Sequence, residues 1–197
     1  TSFCAPPVAE WNFEENSGTV AKDTSGNNNN GTFGTGSSAP TWSLGQNNKG
    51  SGIKFDGNDY INSGTSPLFN TNNQVSFETW INVSSLAPSW QFIMGKSSYW
   101  GVNDAGLHIK STGLEFFVDT CRDSDYFTIT TNKWYHIAIT ISDNQGKFYL
   151  NGKQTGTTKI FSNLNLDNTT HDLYLAKTTA SNHNGLLDEL KIYPYAR

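Results

Sequence analysis

Two stretches of this sequence combine flat aromatic rings with planar polar groups, the pairing that recognises sugars. SSYWGVNDAG (97–106) carries Tyr99, Trp100, Asn103 and Asp104, and TCRDSDYF (120–127) carries Arg122, Asp123, Asp125 and Tyr126. An aromatic face covers the apolar side of a sugar ring, and an Arg set between acids presents bidentate donors and acceptors to vicinal hydroxyls. Trp90 and ASNHNG (180–185), with Asn182 and His183, supply further groups of the same kind. Each residue taken singly reads as an ordinary solvated loop residue, with Arg122 in a surface ion pair. The set of loops together points to a polysaccharide or glycan as the partner.

A second chemistry is oxygen ligation. Calcium takes six to eight oxygens from carboxylates, amide carbonyls and backbone carbonyls. KDTSGNNNNGT (22–32) offers Asp23, Ser25 and four consecutive Asn at 27–30, and the last stretch, GLLDELKIYPYAR (185–197), brings Asp188. If the two regions pair near one sheet edge, Asp23, an Asn of 27–30 and Asp188 converge on one ion. The alternative is an Asx-turn at Asp23 and backbone N–H bonds at Asp188. Composition leaves that choice open.

The patterns that would make the chain an enzyme are missing. Glycosidases need two carboxyls about 5 to 9.5 Å apart across a cleft, and the E-x-D-x-x-E-like spacing that supplies them on jelly rolls does not occur. No R-x-E-x-R or Q-x-H pattern of a polysaccharide lyase is present, and His108, His136, His171 and His183 are scattered. There is no HExxH, no G-x-S-x-G and no Gly-rich phosphate loop. The expectation is a binding module and not an enzyme. A protein-binding adhesion or structural module and a polysaccharide-cleaving enzyme stand as the alternatives.

Composition bounds the rest. The net charge is -4, with 13 Lys and Arg against 17 Asp and Glu, so no basic cluster exists to displace counterions from nucleic acid. No apolar run approaches the roughly 18 residues of a membrane span. The first residues show neither a starting Met nor a signal-peptide pattern and read as a mature or excised domain. Cys4 lies in a Pro-rich segment and Cys121 in a polar stretch. They read as a disulfide, which implies an oxidising, extracytoplasmic location, with two buried free thiols as the alternative.

These groups must be positioned by strands, because helix periodicity is absent and strand signals recur about every 8–12 residues. The strands read from the sequence are VAEWNF (8–13), SGIKF (51–55), QVSFETWINV (74–83), QFIMGK (91–96), GLHIK (106–110), LEFFV (114–118), YFTIT (126–130), WYHIAITIS (134–142), KFYLNGKQTGT (147–157), DLYLA (172–176) and GLLDELKIY (185–193). Asn151-Gly152 reads as a type I′ hairpin turn. Alternation places Val75, Phe77, Thr79, Ile81 and Val83, and likewise Tyr135, Ile137, Ile139 and Ile141, on inner faces. Trp80 and Trp134 fall on the polar reverse faces, as a ligand platform or as rings covered at the rim. Period-2 counting also groups Leu186, Asp188, Leu190 and Ile192, which sends Asp188 toward the core. About twelve short strands with polar turns in one domain over 1–197 make an all-β, two-sheet antiparallel β-sandwich, most simply a jelly roll.

The ordered phrases WNFEENSGTVAKDTSGNNNNGTF, GSGIKFDGNDYI, VSFETWINV, KWYHIAITISDNQGKFYLNGKQTGT and GLLDELKIYPYAR resemble the laminin-G-like, concanavalin A-like lectin/glucanase domains. That resemblance implies a jelly roll with a structural Ca2+ near the chain ends. Asp23 and Asp188 match the family's D-x-S-G and I-D-E acids, and Asn29 aligns with an Asn there. It further implies a carbohydrate-binding or adhesion module of a secreted or cell-surface protein, carried by a larger multidomain chain.

Overall fold

The computed structural model describes residues 5–65, 73–96, 104–118, 121–161, 171–177 and 182–197, with backbone only at 121–122. In chain order the strands are β1 (Ala9–Trp11), β2 (Val20–Ala21), β3 (Gly31–Phe33), β4 (Thr41–Leu44), β5 (Ser51–Asp56), β6 (Ile61–Asn62), β7 (Val75–Val83) and β8 (Trp90–Lys96). There follow β9 (Ala105–Lys110), β10 (Gly113–Val118), β11 (Cys121–Tyr126), β12 (Trp134–Ser142), β13 (Gln145–Leu150), β14 (Lys153–Ile160), β15 (Leu173–Leu175) and β16 (Asn184–Tyr193). Two antiparallel sheets of eight strands result: β14-β13-β12-β7-β16-β5-β4, with β1 also paired to β16, and β11-β10-β9-β8-β15-β6-β3-β2. Among the described residues the only helical turns are two short 3-10 pieces at 36–38 and 46–48. None is long and apolar enough to cross a membrane.

The inner faces follow the alternation. Ile141, Ile139, Ile137 and Tyr135 of β12 stand opposite Val75, Phe77, Thr79 and Ile81 of β7, and all eight are buried. Thr79 is tolerated there because its hydroxyl donates to the Asp188 carbonyl at 2.9 Å. Phe77 meets Phe116 of the other sheet at 5.8 Å between ring centroids, so the layers share one core. Each such buried side chain contributes about 1.5–3 kcal/mol. Asn151 and Gly152 have φ of 50° and 77°, as a type I′ turn requires. Asp143 and Asn144, at 51° and 60°, close a second two-residue hairpin between β12 and β13.

Two expectations are corrected. The strand expected at 126–130 lies earlier: Cys121–Tyr126 pairs with β10 along its whole length, so the polar stretch read as a loop is an edge strand. Alternating charges are what an edge tolerates, since only one side is paired. The second correction concerns the terminal strand. Asp188 pairs with Trp80 and Lys191 with Glu78, so three residues of β16 span two of β7 in a bulge, with Glu189 at φ 50°. The inserted residue breaks the period. Leu187, Leu190 and Ile192 are buried in the core, while Asp188 shares the outer face with Trp80.

Candidate functional site

Registers bring Leu173, Lys96, Ala105, Val118 and Cys121 into one row across the second sheet. That row marks the end of the sheet at which Asp104, the His171–Asp172 pair and the start of β11 meet. Tyr99, Trp100, Asn103 and Cys4 lie outside the described residues, as do the side chains of Cys121 and Arg122. Asp104 is fully buried, with its Oδ1 at 3.6 Å from His171 Nε2. Burial pushes the pKa of Lys96 down, opposed by the charge of Asp172.

Beside this row the outer face of the second sheet opens into a groove of about 430 Å³, lined by Asn30, Thr32, Tyr60, Asn62 and Ser63 among others. Thr32, Asn62 and Tyr174 share one register row, and their neighbours Phe33, Ile61, Leu173 and Leu175 point into the core. The Asn62 amide donates to Asp172 Oδ2 at 3.1 Å and to the Tyr174 hydroxyl at 3.4 Å, while its carbonyl accepts Gly64 N–H at 2.7 Å. Tyr60 is held edge-on against Tyr174 at 5.9 Å, with Lys177 Nζ 3.8 Å from its ring centroid. The buried Ser63 hydroxyl has no partner among the described residues. The groove thus offers the Tyr60 ring beside several fixed polar atoms, which is the chemistry of sugar recognition.

The sequence did not single out these residues. Tyr60 and Asn62, and likewise Asp172 and Tyr174, are the outward positions of two short alternating strands, and that alternation was readable. Their meeting was not, because 110 residues separate Asn62 from Asp172.

The residues of β11 divide. Asp123 Oδ1 accepts the N–H of Ser124 at 2.8 Å. Asp125 is buried at 5% exposure, with Oδ1 at 3.8 Å from Lys159 Nζ of β14. Tyr126, 71% exposed, borders a shallow groove of about 360 Å³ with Ser111, Thr112, Phe127 and Thr128. It stands in register with Gly113, which in turn pairs with Lys110, at the sheet end opposite Asp104.

Between the two ends, the outer face of the second sheet carries a separate buried layer. His108 stacks on Phe117 at 4.8 Å and meets Phe92 at 5.4 Å. Glu115 sits at 3.6 Å from His108 Nδ1 and 2.9 Å from Lys110 Nζ, and Lys110 lies over the Trp90 ring at 4.3 Å. Burial pushes Glu115 up, but the bonds from His108 and Lys110 outweigh it and hold the carboxyl below its ordinary value. Such a paired, 3% exposed carboxylate serves packing. His183 is also fully buried, its Nδ1 at 3.2 Å from Gln91 Oε1, and burial pushes its pKa down to about 4.

The two acids read as cation ligands sit in different surroundings. Asp23 Oδ1 accepts N–H bonds from Glu10 and Ser25, and Oδ2 accepts the backbone and side-chain N–H of Asn29, at 2.8–3.0 Å. Burial pushes its pKa up, yet these bonds outweigh it and hold the carboxyl below its ordinary value. The Asn29 amide also donates to the Val8 carbonyl at 2.9 Å. Among the described residues neither shares a hydrogen-bond partner with Asp188. Asp188 Oδ2 accepts Gln46 N–H at 2.8 Å, and its buried Oδ1 has no partner among the described residues. Burial pushes the Asp188 carboxyl up to about 6, with the charges of Glu189 and Glu14 adding to it and the backbone N–H groups of Gln46 and Glu189 opposing.

The surroundings of Asp188 are rich in oxygen. A Cβ placed on Gly45 would lie 2.6 Å from the Lys49 carbonyl, 2.7 Å from Asp188 Oδ2 and 2.8 Å from the Ser51 carbonyl. The buried Ser51 hydroxyl is unpartnered among the described residues, and Glu14 Oε2 reaches Ser51 N–H at 3.2 Å. Among the described residues no group of three His, Cys, Asp or Glu side chains could hold a metal. A hard cation at Asp188 would therefore draw on Glu14 and on backbone and hydroxyl oxygens. Calcium accepts such a set. The orphaned Oδ1 and the carbonyls around Gly45 fit it; Asp23 and Asn29 are already committed to each other.

Comparison with known proteins adds the following. Residues 55–197 match the family described as the concanavalin A-like lectin/glucanases superfamily. Among solved structures, domain 4 of AbnA, a GH43 extracellular arabinanase from Geobacillus stearothermophilus in complex with arabinotriose, aligns at a TM-score of 0.75 and 20% identity over 98% of this chain and 95% of that one. The botulinum neurotoxin serotype G binding domain aligns at 0.71 and 16% identity over 97% of this chain and 48% of that one. Trypanosoma rangeli sialidase with 2,3-difluorosialic acid aligns at 0.70 and 16% over 99% of this chain and 32% of that one. These likenesses are of fold. No curated protein matches the sequence.

Proposed function

Because this chain belongs to the concanavalin A-like lectin/glucanases superfamily, we propose that it is a non-catalytic carbohydrate-binding module of a secreted or cell-surface protein. The observation that carries the reading is the groove at Tyr60 and Asn62, where a ring, hydroxyls and an amide held by Asp172 line the outer face of the second sheet. Asp104 and His171 lie at the same sheet end; Tyr99, Trp100 and Arg122 remain candidates from the sequence alone. Tyr126, with Asp123 and Asp125, would contribute only to a second contact at the far end.

A shallow open groove of this kind holds a sugar with micromolar to millimolar affinity, about -8 to -4 kcal/mol. Arabino-oligosaccharides are the first ligands to try, given the arabinotriose bound to the domain 4 neighbour. The non-catalytic part rests on the sequence, which carries no glycosidase or lyase spacing of acids; Glu115, Asp125 and Asp23 are in addition tied into ion pairs or N–H bonds. The test is a glycan array on the wild type, Tyr60→Ala and Asn62→Ala, alongside Trp100→Ala and Arg122→Ala. Binding lost in the first pair supports the groove, and binding unchanged in all four overturns this reading. Release of reducing or unsaturated sugar from a polysaccharide panel would overturn the non-catalytic part.

A structural Ca2+ belongs to the same proposal, held by Asp188 and Glu14 with the carbonyls of Lys49 and Ser51. It would neutralise the buried carboxylate and tie the 45–51 loop to β16. The Cys4–Cys121 disulfide and secretion complete it. A denatured, unreduced chain that reacts fully with a thiol reagent would overturn the disulfide.

A further inference from the structure

The outer face of the first sheet carries a notch of about 210 Å³ that no part of the proposed groove uses. Its floor is Ala138, which stands in register between Glu78 of β7 and Tyr149 of β13. One methyl between two long side chains leaves the gap. Tyr149 forms one wall, Glu78 and Arg197 the other, and His136 and Thr140 close the two ends.

The polar walls are built. Glu78 Oε1 accepts Arg197 Nη1 at 2.8 Å and the Tyr193 hydroxyl at 3.0 Å. Arg197 is itself anchored, its backbone N–H donating to Ser76 Oγ at 2.9 Å and its guanidinium lying 4.8 Å from the Tyr193 ring centroid. His136 is braced edge-on by Trp80 at 5.2 Å. Burial pushes the His136 pKa down, so at neutral pH its ring both donates and accepts.

The chemistry narrows the ligand. Glu78 neutralises Arg197, so the notch has no net charge with which to select an anion. An apolar ligand would leave the imidazole, hydroxyl and remaining guanidinium donors desolvated and without partners, which is unfavourable for each group. A small apolar floor, one ring wall and a carboxylate beside a guanidinium instead match a single sugar ring: a CH face below and vicinal hydroxyls at the rim. The volume is below the roughly 300 Å³ of a drug-sized site, which limits the occupant to one ring. We propose that this notch is a second carbohydrate site, accepting one neutral terminal or branching sugar residue. It does not depend on the groove. If both bind, the module holds sugars on opposite outer faces of the sandwich and can bridge two glycan chains.

The experiment is an amide NMR titration of the folded chain with methyl glycosides of arabinose, galactose and glucose, repeated on Ala138→Leu, Tyr149→Ala and Tyr60→Ala. The expected result is saturable shifts at Ala138, Thr140 and Tyr149 with millimolar Kd for at least one glycoside. Those shifts persist in Tyr60→Ala and weaken at least tenfold in Ala138→Leu, which fills the notch, and in Tyr149→Ala. Absence of saturable shifts at these amides in the wild type overturns the notch whatever the variants do. Equal affinity in a folded Ala138→Leu overturns it as well. Shifts confined to Tyr60 and Asn62 leave the groove standing without the notch, and shifts confined to the notch have the reverse meaning.

Discussion

Asp23 and Asp188 are the same residue type, one in the turn after β2 and the other at the bulge of β16. Their partners differ. The four bonds Asp23 accepts come from N–H donors of its own turn and of Glu10, so the carboxylate closes a loop. Asp188 has one N–H bond, one buried orphan oxygen, and carbonyls around it. The lesson is that a buried acid surrounded by donors is a structural acceptor, whereas one surrounded by oxygens is where the proposed cation is to be tested.

The sharpest way to break that contrast is to remove Asp23. Asp23→Ala leaves four N–H groups without an acceptor, and the expected loss is roughly 4 kcal/mol, or about 8–16 °C in Tm for a chain of this size. The drop should be the same in calcium and in EDTA. A drop seen only in calcium would return Asp23 to the ion and erase the difference between the two acids.

His183 applies the same accounting to a base, with no ion involved. Its folded pKa of about 4 lies below the unfolded value of 6.5. Between those values the unfolded chain binds more protons, so this stability is present above pH 6.5 and is lost as pH falls to about 4. The loss totals on the order of 3 kcal/mol. Urea unfolding across pH 7 to 4 measures it, and His183→Phe should flatten that part of the slope. An unchanged slope in the variant would mean that the buried imidazole is not what acid attacks.

Calcium is the next test. At about 100 times Kd it should add roughly 2.7 kcal/mol to the wild type, raising Tm by about 5–11 °C. Asp188→Asn should abolish that rise while melting in EDTA no lower than the wild type, because it removes a charge that burial penalises. A full calcium shift in Asp188→Asn would overturn the assignment.

How far the sequence displayed all this depends on range. The alternation of β7 and β12 and the Asn151-Gly152 turn are local patterns, and they hold residue by residue. Asp188 was misdirected because a bulge carried by Glu189, with no glycine to mark it, shifts the period in mid-strand. β11 was read as a loop because edge pairing tolerates the run Arg122-Asp123-Ser124-Asp125, which has no strand signature. The groove was invisible for a third reason: Asn62 and Asp172 meet only through the pairing of β6 with β15.

Asp59 falls between the two extremes. Its Oδ2 accepts Asp56 N–H at 2.9 Å, and it is 4% exposed beside the Asp56 carboxylate. Burial first, then the charge of Asp56, push its pKa up to about 6, although the Asp56 N–H opposes them. The folded value lies above the unfolded one, so the wild type loses stability as pH rises from about 4 to about 6 and stays lower above that. Asp59→Asn keeps an oxygen for the Asp56 N–H and sheds the charge. It should be more stable than the wild type by up to about 3 kcal/mol at pH 7, converging with it near pH 4. The same variant should leave the calcium shift untouched, since no carbonyl cluster surrounds this carboxylate among its described contacts. A diminished calcium shift in Asp59→Asn would show that a raised, crowded carboxyl is enough to draw the ion, and that the oxygens around Asp188 do not decide it.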